Sequence, residues 1–524
     1  MMMPAKSTLV GALLASLSAF AAGEGVELVP QFAESPWVFA SEPKEFSGTP
    51  DAKSMEVEVD SSAASAFVKD ARQSAVRLRI RATCPDTKAV EISLHQRNGQ
   101  VWGSTSLTIS PEWRDITLSA DRMTYFRHWG LPALPSGALP DLTQVNKLRF
   151  CFGKWLCSDS LDKAHGFEVQ SVRVVPYQPH ETSELGRACG WDVSLDEFPR
   201  LAGEEDDTER VMRAVEAVPR GGVLFFPRGT YDIASTIYID NGSSLKLHKS
   251  AILRAVKEMP FVVDFNAKSF GSGQDCNGFI TGGVIDGAGL ASCLKLGGFA
   301  HFTMRDTTFL NGKESGLRVV GPSYELIAHN LYFRTYMSGL AGNTAVDIRA
   351  GDSHYVDCVA VDYTIGFAVR GGGSNRLTRC HVWGGPVPPP KKGELPEMLK
   401  GSINFLVGGA STILRDCYAD TGEIGYKIVG WDTRMLGCSY FNNKVFRLDN
   451  ITIIKHERGR LLVTDGGFVK TTPNVKVYEG CGEVEWQNMM YSGFGEGDYC
   501  PGAKSFKRED ARDQKALKLA GEND

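Results

Sequence analysis

After its first twenty residues this sequence has no long apolar run. The run Ser7–Phe20 falls short of the ~20 residues that span a bilayer, so the mature chain is expected to carry no membrane span. Net charge is also scarce. Lys and Arg number 57 against 62 Asp and Glu, which leaves −5 and excludes a wholly basic surface for nucleic acid. None of the twelve cysteines stands in zinc spacing with a histidine. What remains is an ordinary folded composition, 42% hydrophobic and 23% charged, and 524 residues point to more than one domain.

The N-terminus does carry an export pattern. Lys6 precedes the short apolar run, and Ala19-Phe20-Ala21 fits a small-x-small cleavage site. Residues 1–21 are expected to be a signal peptide, with the mature chain starting near Ala22 and secreted to a periplasmic or extracellular location.

Residues 22–177 alternate apolar and polar positions in short segments. Examples are SMEVEV (54–59), VRLRIRAT (76–83), AVEISLHQ (89–96) and WRDITLS (113–119). That pattern predicts sheets with one buried face, packed as a β-sandwich. The segment resembles the jelly-roll carbohydrate-binding modules that accompany glycan-degrading enzymes. Trp102, Trp113, Trp129 and Trp155 are either core or sugar-stacking platforms, and tryptophan is more often core.

Residues 178–200 read as a linker, residues 201–500 as a repeat domain and 501–524 as a polar tail. Within 206–239, Val211, Ala214, Val215 and Val218 share one helical face. Then one short strand recurs: SCLKLGG (292–298), SGLRVVG (315–321), AVDIRAG (345–351), GFAVRGG (366–372), INFLVGG (403–409) and IGYKIVG (424–430). The base spacing of ~21–23 residues is one coil of a β-solenoid. Glycine is expected to end each strand because the coil turns where φ > 0 is often required. A second column, at 306, 330, 358, 380, 417 and 438, reads Asp, Asn, Cys, Cys, Cys, Cys. Its four cysteines are expected to be stacked buried thiols, while Cys151–Cys157 and Cys481–Cys500 are the candidate bridges. Asp357, Arg379 and Asp416, each one residue earlier, predict a structural charge ladder.

The helix, the glycine pair and the strand of GGVLFFPRGTY (221–231) resemble the entry to the pectate-lyase-like family of right-handed parallel β-helices. The resemblance covers roughly residues 200–460. It implies an all-β chain: an N-terminal sandwich, then a right-handed parallel β-helix whose first coil is capped by the helix. It also implies a polysaccharide substrate. The polygalacturonase pattern of an Asp-Asp pair, Gly-His-Gly and Arg-Ile-Lys is absent from the coils, where only Tyr426-Lys427-Ile428 comes near it. Calcium is implied only if the chemistry is that of the lyases. Oligomeric state stays open.

Two insertions interrupt the repeat, at 334–344 and 384–402. Both leave the coil after its second strand, so they flank a groove on the order of 10 Å wide. By register the groove gathers Arg349, Arg370, Lys427, Asp362, Asp420 and Glu423 as catalytic candidates, and Tyr336, Asp347, Tyr363, His381 and Trp383 as substrate-binding candidates. Three functions follow. A lyase would use Arg349, Arg370 and Lys427 on an acidic glycan, and this is the favoured expectation. A glycoside hydrolase would use two carboxylates among Asp362, Asp420 and Glu423. A non-catalytic glycan-binding or adhesive protein would cleave nothing. Alternation along AVDIRAG and GFAVRGG points Arg349 and Arg370 outward, with Asp347 as a plain surface salt-bridge partner.

Overall fold

The structure is a computed structural model of the whole chain. It describes strands at 26–27, 44–48, 55–60 and 505–509. Apart from a few single positions, it also describes residues 73–126, 138–153, 162–266, 277–336, 342–384, 400–442 and 450–494. The expected signal peptide, Trp129, Trp155, Cys157 and Cys500 lie outside the described residues. No described helix is long and apolar enough to cross a membrane.

The chain divides into two compact units, residues 1–180 with 269–272, and the remainder. The first contains two antiparallel five-stranded sheets. Alternate residues of Ser74–Ala82 and Ala89–Gln96 put Leu78, Ile80, Ile92 and Leu94 into one shared core, which makes the unit a sandwich. Trp102 belongs to that core, and Trp113 lies beneath the Arg81 guanidinium at 4.7 Å.

The second unit is a parallel β-helix. Three parallel sheets of 13, 11 and 10 strands run its length, and each strand pairs with its counterpart one coil on. All six glycine-ended segments fall in the 10-stranded sheet. Their inward positions form one column, Leu294, Leu317, Val346, Phe367, Phe405 and Tyr426. Phe367 stacks on Phe405 at 5.7 Å, and Phe405 on Tyr426 at 5.1 Å. The helix Thr208–Ala217 lays Val211, Ala214 and Val215 against the first coil, and Val218 follows them into the core. Its entry is pinned by Asp207, which takes both Arg200 and Arg210. A solenoid end without such a cap would expose its apolar cross-section.

Several expectations change in detail. The linker is not a bare connection, because Val193–Ser194 is the first strand of the 13-stranded sheet and Leu195 is core. The tail contributes a last strand to the same sheet, Ser505–Glu509. The cysteine column is shifted at its start. Asp306 and Asn330 share a tight left-handed turn with Asp357, Arg379 and Asp416, all at φ of 50–56°. The buried column is therefore Thr307, Leu331, Cys358, Cys380, Cys417 and Cys438. Those four thiols are free and buried, each directed at a backbone carbonyl, and burial pushes Cys358 and Cys417 upward in pKa. Arg379 grips Asp357 with two bonds of 2.6 and 2.8 Å, as a ladder requires. Cys481 is a free thiol donating to Glu457 O, and its candidate partner Cys500 lies outside the described residues. Among the strand-ending glycines, Gly372 does take φ of 71°, but Gly430 does not. Gly430 is needed for close approach: a Cβ there would sit 2.4 Å from Gly409 O.

Candidate functional site

The corner between the 11- and 10-stranded sheets alternates between long and short. Long connections occupy 335–343, 384–402 and 442–450, and the coils between them turn in three residues, at 362–364 and 421–423. The first two long connections match the expected insertions. The third was not anticipated. Residues 337–341, 385–399 and 443–449 lie outside the described residues. The corner itself is continuous: Thr335 N donates to Val361 O, Asp362 N to Trp383 O, Gly384 N to Asp420 O and Thr421 N to Phe441 O.

Asp362 occupies the first residue of one short corner at φ 66°. Asn311 and Thr421 hold the same position on other short corners, also with positive φ, so the conformation belongs to the turn. The environment of the Asp362 side chain is more particular. It is 18% exposed, its Oδ1 is buried with no hydrogen-bond partner among the described residues, and Oδ2 lies 3.8 Å from Arg334 Nε. Burial pushes its pKa up to about 6, against the opposing pull of Arg334. Arg334 Nε is itself buried without a hydrogen-bond partner, and the guanidinium covers the Tyr336 ring at 4.6 Å.

Two coils along, Asp420 ends the strand Tyr418–Asp420. It accepts from the Tyr418 hydroxyl at 3.3 Å and from the Thr421 hydroxyl. Burial first, then the Asp420 charge, pushes Tyr418 up to about 12, which keeps it a donor. His381 stacks on Tyr418 at 4.6 Å, and its Nε2, buried without a hydrogen-bond partner, lies 3.9 Å from Asp420 Oδ2. Trp383 sits between Val361 and Asp420 in register, half-buried against the core. Among the described residues, three buried polar atoms near this corner thus lack hydrogen-bond partners: Asp362 Oδ1 and Arg334 Nε at one short turn, and His381 Nε2 beside Asp420. Such groups cost about 1–3 kcal/mol each when nothing satisfies them.

A second arrangement lies on the outer face of the 10-stranded sheet. Alternation does send Asp347, Arg349 and Arg370 to that face. Asp347 is no plain surface partner, since its side chain is only 3% exposed beneath three guanidiniums. Arg318, one coil before, was absent from the sequence candidates because its strand, SGLRVVG, shows no clustering by itself. Lys427 stands three coils past Asp347 and pairs with Glu457 at 3.0 Å, so it is not part of this group.

Two further candidates make backbone contacts. Tyr363 is buried in the core, with its hydroxyl accepting from Gly312 N, and it cannot reach a groove. Glu423 accepts from Gly401 N at 2.6 Å, which ties down the end of the 384–402 connection. Among the described residues no group of three or more His, Cys, Asp or Glu side chains is placed to hold a metal ion.

No family model matches the chain, and no curated protein matches it. Solved structures do. The catalytic unit of a thermostable GH87 alpha-1,3-glucanase from Streptomyces thermodiastaticus is similar at 13% identity and TM-score 0.40, over 93% of each chain. A Family 28 exopolygalacturonase from Yersinia enterocolitica is similar at 10% identity and TM-score 0.36, over 90% of this chain and 99% of that one. An alginate lyase from Paenibacillus sp. is similar at 10% identity and TM-score 0.31, over 58% and 97%.

Proposed function

We propose that this chain is an exported glycoside hydrolase that cleaves a polysaccharide along the loop-flanked corner, with Asp362 as general acid and Asp420 as general base. The observation that carries the reading is Asp362: a half-buried carboxyl whose Oδ1 is buried without a partner among the described residues and whose pKa is raised to about 6, two coils from a second carboxylate. An acid must hold its proton near working pH, and burial supplies that. Coils repeat every ~4.8 Å, so the two carboxyls stand roughly 10 Å apart, near the upper end of the separation used by inverting enzymes. In the reaction, Asp362 protonates the departing glycosidic oxygen. Asp420, oriented by the Tyr418 and Thr421 hydroxyls, takes a proton from the water that attacks the opposite face of the sugar. Trp383 lies beside this path and offers an aromatic surface to the sugar, while His381 stands behind Asp420 with its Nε2 buried.

The named lyase bases are engaged with carboxylates, which supports hydrolysis over elimination. Arg349 and Arg370 both spend Nε on Asp347, and Lys427 is paired with Glu457. Two glycan hydrolases among the similar folds are consistent with the hydrolase reading, and the alginate lyase is consistent with the other, so the carboxyl environment is what favours hydrolysis. The test is product stereochemistry. Proton NMR of the first products from a cleaved polymer should show inversion at the anomeric carbon. Retention, or an unsaturated product, would remove this mechanism.

A further inference from the structure

Arg318, Asp347, Arg349 and Arg370 surround a cleft of about 340 Å³, together with Lys313, Glu314 and Thr344. Asp347 Oδ2 accepts from Arg318 Nε at 3.0 Å and from Arg349 Nε and Nη2 at 3.1 and 3.0 Å. Oδ1 accepts from Arg370 Nε at 3.1 Å. One carboxylate therefore faces three guanidiniums. The Glu314 carboxylate meets Arg318 at 3.3 Å and is 70% exposed, while Lys313 adds a further positive charge paired to Glu258. The bonds to Asp347 use the Nε edges, and the Nη1 atoms of all three arginines make no hydrogen bond to a described residue.

A cluster held together only for stability would balance its charge. Like charges on neighbouring strands are destabilising, and this group keeps an excess of positive charge on adjacent coils. A nearly buried aspartate fixes the three planar groups, so their remaining donors are set in advance around an open cleft. Arginine's fork suits planar or tetrahedral oxyanions, which it binds with paired hydrogen bonds. The position also fits a polymer. Asn343 and Thr344, which line the cleft, end the 335–343 connection, and Arg370 leaves the strand that follows the corner of Asp362.

We infer that this cleft is an oxyanion subsite, and that the glycan cleaved at the corner carries a carboxylate or sulfate ester read by Arg318, Arg349 and Arg370. The inference rests on the hydrolase reading for the word glycan, and on the cluster alone for the charge. Binding of glucuronate, glucose 6-sulfate and glucose to the full chain, followed by NMR titration, tests it without any turnover. At least one charged sugar should bind ten-fold or more tightly than glucose, and added salt should weaken it. A preference confined to glucuronate assigns a carboxylate, and one confined to glucose 6-sulfate assigns a sulfate ester. Arg349→Gln and Arg370→Gln, both at partly exposed positions, should each remove most of that preference. Equal binding of all three sugars, or a preference unchanged in both variants, overturns the subsite. Asp362→Asn should keep the preference while losing cleavage. Cleavage that survives in Asp362→Asn would sink the hydrolase reading and leave the subsite standing.

Discussion

Arg334 Nε and Asp362 Oδ2 face each other from adjacent coils at 3.8 Å, too far for a hydrogen bond and close enough for charge to act. Arg334 is the opposing influence on a carboxyl whose pKa burial raises to about 6. Replacing it with glutamine keeps much of the volume and removes the charge. The alkaline limb of kcat/KM, set by loss of the Asp362 proton, should then move upward by about one pH unit. A limb that stays in place in Arg334→Gln would mean that another group sets it.

The same carboxyl makes a stability prediction of definite sign. Its folded pKa of about 6 lies above the ordinary value of 3.8, so the native state holds the proton more tightly than the unfolded chain. Stability contributed by that proton is full below about pH 4 and is lost as pH rises through 6. Asp362→Asn has no proton to lose. Urea unfolding should find it more stable than the parent at pH 7, by on the order of 2 kcal/mol, with the gap closing below pH 4. A variant less stable at pH 7 would show that the carboxyl is satisfied in the native state.

The thiol stack Cys358, Cys380, Cys417 and Cys438 should be silent in the folded protein. A small alkylating reagent without reductant should leave all four unmodified under native conditions and label all four after denaturation. Peptide mapping that finds any of them in a disulfide contradicts the stack.

Phe405 lies between Phe367 and Tyr426 in the inward column, with no exposed surface. Phe405→Ala should cost about 3–5 kcal/mol, measured by chemical unfolding. A loss under about 1 kcal/mol would mean that the coils close over the gap.

The repeat was legible because every coil writes the same alternation. A glycine column gave the period, and Val346, Ile348, Phe367 and Val369 gave the inward face. The third long connection, 442–450, was missed because the strand after it, Ile451–His456, runs on to Arg458 where the preceding coils have Gly409 and Gly430. The cysteine column began one residue out because Asp306 and Asn330 suit the left-handed turn, and only backbone geometry separates that turn from the buried position beside it. Candidate residues were placed on the correct face by period alone. Their partners were not legible. Nothing in GFAVRGG or SGLRVVG says that Arg370 and Arg318 share one aspartate, because that contact crosses coils. Nor does YTIG after Asp362 announce an unpartnered oxygen. Tyr363 follows Asp362 directly, yet turns inward to Gly312, since the corner takes one residue through positive φ and reverses the face.

The most direct measurement assays the parent, Asp362→Asn and Asp420→Asn side by side on a panel of polysaccharides, scoring reducing ends and product saturation. The account predicts that the parent releases saturated products with new reducing ends. Each variant should lose at least about a hundred-fold in kcat while folding normally, the scale of a lost acid or base. Unsaturated products from the parent, or an Asp362→Asn variant that cleaves at the parental rate, would contradict it.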